Sequence, residues 1–138
     1  MSNYVNNILS NVINNQALTV LGSGMGYDYL ITKVLTHFCR RTHDHSKLFF
    51  VLNGTNDFDK YQTLLLSEGD LDPVFLPQLL LSETCNTSER MKIFSDERKG
   101  NVFFVSSRIL IQDLLRQNLN LQRVRFLGIS TSCLTSFW

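Results

Sequence analysis

Residues 20 to 30 read VLGSGMGYDYL, with Gly22, Gly24 and Gly26 in alternation between an apolar run and a helix-like stretch. This is the outline of a phosphate-binding loop, in which backbone N–H groups and a helix N-terminus surround phosphate oxygens. A working nucleotide loop next supplies a lysine for the β and γ phosphates and a hydroxyl for magnesium. Those positions hold Tyr27 and Asp28. Tyr27 carries no charge, and Asp28 puts a carboxylate where phosphate would lie, although as a helix cap it meets the N–H groups and dipole favourably. The expectation is a self-capped strand-to-helix turn that does not bind ATP. A dinucleotide site would want an acid at the end of the second strand to hold a ribose. Asn53-Gly54 stands there instead.

Other reactive residue types are sparse. His37, Cys39, His43 and His45 offer four metal ligands within HFCRRTHDH. On a helix, however, His37 and Cys39 diverge, so a closed tetrahedral zinc site is not expected and a cationic helix end meeting the negative dipole is. Cys85 has no neighbouring histidine to activate it. Arg116, Arg123 and Arg125 form a thin basic group, read as solvated. Three cysteines at wide spacing argue against a disulfide framework and fit a reducing compartment. Thirteen basic against twelve acidic residues leave little net field, so any nucleic-acid contact must be local. The asparagine-rich start lacks a secretory pattern, and no apolar run approaches the roughly 20 residues that span a bilayer. No membrane partner is expected, and the sequons at Asn53 and Asn86 are read as chance.

These residues need elements to position them. With 138 residues and 43% apolar content the chain can bury one ordinary core. Apolar residues at helical spacing over 4–13 predict an amphipathic helix. Strands are expected at 17–21, 47–52, 74–76, 101–105 and 124–129, separated by helices over 28–37, 57–68, 88–97 and 108–117. Phe58, Tyr61, Leu64, Leu65, Met91, Ile93 and Phe94 are assigned to the core, and Thr87 or Ser88 and Ser106 or Ser107 to helix caps. Continuous apolar strands with crossovers of a dozen or more residues imply an α/β fold, a mostly parallel sheet with helices on both faces.

At this point the residues resemble a family. The decayed glycine loop, the strand FFVLN and above all GNVFFVSSRILIQDLL at 100–115 look like the N-terminal helicase-like domain of the XPF family of structure-specific DNA repair endonucleases. The likeness covers residues 4 to 129, leaving 130–138 as a divergent tail. It implies an incomplete RecA-like (P-loop NTPase-like) lobe whose ATPase motifs have decayed, acting in nucleotide excision repair in the nucleus. By the same resemblance, Asn53 and Thr55 after the second strand, and Ser106, Ser107 and Arg108 at the start of a later helix, fall where helicases contact the nucleic-acid backbone. Hydroxyls, a guanidinium and a helix N-terminus are all phosphate ligands.

The implied partners are branched or single-strand/double-strand junction DNA and repair scaffold proteins. The family's small non-catalytic partner subunit binds a C-terminal region lying outside this sequence. The family's nuclease signature is Glu-Arg-Lys with an aspartate after three further residues, and Glu97-Arg98-Lys99 is followed instead by Phe103. No cofactor is expected in this chain, magnesium belonging to the family's nuclease domain. The sequence STSCLTSFW after VRFLGI departs from the family, as a truncated gene model, a retained intron or an alternative transcript would each produce. The alternative reading is a small nucleotide-binding or NTP-hydrolysing α/β protein with an atypical phosphate loop.

Overall fold

The uninterrupted apolar runs are strands of one sheet. The computed structural model describes residues 6, 7, 10, 27–40, 47–52, 55–67, 71–96 and 98–129. In chain order its elements are α1 (Tyr27–Cys39), β1 (Leu48–Leu52), α2 (Phe58–Ser67), β2 (Gln78–Leu79), α3 (Thr87–Ser95), β3 (Val102–Val105), α4 (Ser107–Leu115) and β4 (Val124–Ile129). All strands pair in parallel, in the order β2-β3-β1-β4. β2 is only two residues long, so three strands do most of the pairing. The strand and helix expected at 17–21 and 4–13, the glycine loop at 22–26 and the tail at 130–138 lie outside the described residues.

Alternation along β1 and β3 sends side chains to two separate cores. Phe49, Val51, Val102 and Phe104 pack with Val34, Leu35 and Phe38 of α1 and with Tyr61 and Leu65 of α2. Leu48, Phe50, Leu52, Phe103 and Val105 pack on the other face with Phe94 of α3, Leu110 of α4 and Leu119. Phe38 stacks on Phe49 at 4.1 Å, while Phe94 meets Phe50 and Phe103 edge-on at 5.7 and 5.2 Å. Helices therefore cover both faces of a parallel sheet, as the unalternating runs imply.

Several boundaries differ from the sequence reading, each for a local reason. The expected strand over 74–76 is a 3-10 turn at Pro73–Phe75, and the strand follows Pro77. Asp72 caps that turn by accepting from the Val74 N–H at 3.0 Å, and Pro73 presets its first dihedral. Gly100 lies against the same turn: its N–H donates to the Val74 carbonyl at 3.1 Å, and an added Cβ would sit 2.8 Å from the Phe75 oxygen. Backbone approach this close admits only glycine.

Asn86, not Thr87 or Ser88, caps α3. Its side chain accepts from the Glu89 N–H at 2.9 Å, and the Glu89 carboxylate accepts from the Asn86 N–H at 3.2 Å, a complete capping box. The helix ends at Ser95, two residues early. Met91 is 46% exposed rather than in the core, and the inward position on α3 goes to Arg90 instead.

α4 begins one residue early, with Ser106 as its cap. It closes with Gln117 at φ 58°, while the Asn118 N–H donates to Asp113 O at 2.9 Å and the Gln117 N–H to Leu114 O at 3.2 Å. This paired closure is a Schellman motif whose left-handed position normally favours glycine. Gln117→Gly is therefore expected to stabilise the chain by about 0.5–1 kcal/mol, read as a rise in the urea midpoint. An unchanged or lower midpoint would mean the glutamine side chain contributes more than the strain removes.

Candidate functional site

The register Leu52↔Val105 ends β1 and β3 side by side, so the segments leaving them emerge together at the carboxyl edge of the sheet. After β1, and past residues 53 and 54, comes the 3-10 turn Thr55–Asp57, with Thr55 half-buried. After β3 comes Ser106, whose hydroxyl oxygen accepts from the Ile109 N–H at 3.3 Å. Ser107 is half-buried as the first helical residue, and Arg108 is exposed, with no hydrogen-bond partner among the described residues.

Thr55 and the Ser106-Ser107-Arg108 run thus leave adjacent strands at the same edge. Asn53, Gly22, Gly24 and Gly26 lie outside the described residues. Tyr27 and Asp28 are the first two described residues of α1. Phe38, in the last turn of α1, stacks on Phe49 near the start of β1.

A contact missed by sequence reasoning fixes α4. Arg90 of α3 meets Asp113 of α4 as a two-pronged pair, Nε to Oδ2 and Nη2 to Oδ1, both at 2.8 Å. Both residues are buried. The guanidinium also donates through Nη1 to the Cys85 carbonyl at 2.9 Å and through Nη2 to the Thr87 hydroxyl at 3.3 Å. The hydrogen bond to Asp113 raises the Arg90 pKa further, outweighing the opposing effect of burial, so the arginine stays charged. A signal for the pair was present in the sequence. Asp113 falls on the same helical face as Ile109 and Leu110, where an acid needs a buried partner.

The remaining candidates lie elsewhere. Cys39 is buried in the α1 core and its thiol is pushed up to about 12 by desolvation, while His37 meets the Phe38 ring edge-on at 5.3 Å. His43 and His45 lie outside the described residues. Among the described residues no three His, Cys, Asp or Glu side chains gather as a metal site, and no helix is long and apolar enough to cross a membrane. Burial also raises the Cys85 thiol. Phe103, where the nuclease signature would need aspartate, is fully buried in β3. Arg123 is tied down, donating to the Phe94 carbonyl at 2.9 Å, whereas Arg116 is exposed.

Hydroxyls, one free guanidinium and a helix N-terminus suit binding of an oxyanion chain. Asp57 and Asp59 in the neighbouring segment oppose it. No protein-family model matches the chain, and no curated protein matches it either.

Proposed function

We propose that the chain is a helicase-like, RecA-type module of an XPF-like repair nuclease, which grips branched DNA and partner proteins in the nucleus without hydrolysing ATP or cutting DNA itself. The observation that carries the reading is the shared edge of Thr55 and Ser106-Ser107-Arg108, set by the Leu52↔Val105 register. In open parallel sheets, ligands gather outside the carboxyl ends of the strands. Arg108 stands in the first turn of α4, where a cation opposes the helix dipole. A phosphate bound there would satisfy both the guanidinium and the N-terminal N–H groups. The replacement of the loop lysine by Tyr27 and of the hydroxyl by Asp28 supports the loss of triphosphate binding.

The test titrates a labelled DNA fork and labelled magnesium ATP separately against the purified chain at several salt concentrations. Fork binding that weakens steeply with salt is expected, with no ATP binding. Arg108→Ala should weaken the fork about three- to tenfold and lower the salt slope by about one. ATP binding without DNA binding would replace this reading with that of a nucleotide-binding protein bearing an atypical loop.

A further inference from the structure

The outer face of α4 carries a second feature, which shares Arg108 with the proposed DNA edge but otherwise uses different residues. Ile111 and Leu115 lie one helical turn apart and are 55% and 79% exposed, and Leu121 just beyond the helix is 68% exposed. Beside them a depression of about 480 Å3 is lined by Leu114, Gln117, Leu119, Asn120 and Leu121. Three aliphatic side chains left in water around a hollow are the composition of a docking surface rather than of scattered exposure.

Charge selects the occupant. From 107 to 123 the only acid is Asp113, and it is sealed against Arg90. Arg108 and Arg116 stand exposed, three residues before Ile111 and one after Leu115, and the Gln112 side-chain oxygen can accept from the Arg116 guanidinium at 3.0 Å. Along residues 107–123 the accessible surface is therefore apolar beside exposed arginines, with no exposed carboxylate among those residues. We infer that it docks an acidic amphipathic helix of a partner protein, leucine-type anchors entering beside Leu115 and Leu121 and carboxylates meeting Arg108 and Arg116. A second copy of this chain would bring arginine against arginine, which like-charge repulsion disfavours.

The test uses the full chain and a fluorescein-labelled peptide of about 16 residues, with leucines at i, i+3 and i+7 and glutamates on the remaining face, beside a counterpart bearing lysines for glutamates. Anisotropy should show the acidic peptide binding at least about tenfold more tightly than the basic one. The double variant Leu115→Ser/Leu121→Ser should lose at least about tenfold of that affinity. Its thermal transition should stay unchanged, because both side chains are exposed. Arg116→Glu should narrow or reverse the preference between the peptides. Equal binding of both peptides, binding of neither, or an affinity untouched by the leucine changes would overturn the inference. So would self-association in light scattering that Leu115→Ser abolishes, which would assign the face to a second copy.

Discussion

Asp113→Ala lowers the unfolding free energy by about 3–5 kcal/mol, the range for removing one partner of a buried ion pair. The loss comes less from the attraction removed than from what remains. The Arg90 guanidinium keeps the Cys85 carbonyl and the Thr87 hydroxyl, but its charge is then uncompensated between α3 and α4. An arginine cannot shed its proton to escape this. The companion variant Arg90→Met/Asp113→Leu removes both charges and keeps the volume, so it should return to within about 1–2 kcal/mol of the parent. Urea unfolding of the parent, Arg90→Met, Asp113→Leu and the double variant closes the cycle, with Asp113→Ala measured beside it. A single variant costing less than about 1 kcal/mol, or a double variant as damaged as the single, would show that the pair does not hold the two helices together.

The second large effect appears in alkali. Cys39 ends α1 in the core, and desolvation raises its pKa from 9.0 to about 12. In the unfolded chain the thiol ionises near 9, whereas in the folded chain it holds its proton. Between those values the folded state binds one more proton than the unfolded state. Its stabilising contribution is thus complete below pH 9 and falls as pH rises, by about 1.4 kcal/mol per pH unit until the folded pKa is reached. Cys39→Ala deletes this dependence and leaves other titrations in place. The stability difference between parent and variant should be constant up to about pH 9 and then shift against the parent at that slope. Parallel stability curves through pH 11 would mean that the thiol ionises without opening the core.

The layered plan was readable because LFFVL and VFFV contain no polar residue on either face, leaving no side of the strand for water. The same argument failed at β2. Two residues pinned by the Leu80 N–H to the Phe104 carbonyl at 3.0 Å carry too little hydrophobic signal to be separated from the Pro73 turn. The α3 cap was misplaced although Asn86 and Glu89 have the capping-box spacing, because the hydroxyls of Thr87 and Ser88 are also competent caps. Met91 gave up the inward position to Arg90 for a reason invisible within α3: the site is polar because Asp113, on another helix, faces it. At the candidate site the sequence identified Ser106, Ser107 and Arg108 as a helix start. Their position beside Thr55 depends on the pairing of β1 with β3, which no local pattern encodes.

The strand order has a consequence for synthesis. β1 lies between β3 and β4, with Phe49 opposite Val102 on one side and Phe126 on the other. A ribosome therefore makes this central strand before either of its two sheet neighbours, and among the described residues no hairpin gives it a local partner. Until Val124–Ile129 has cleared the exit tunnel, an apolar strand waits with at least one bare edge. Slow elongation through the second half of the message would lengthen that interval, making translation speed, as much as equilibrium stability, a determinant of how much folded chain a cell recovers.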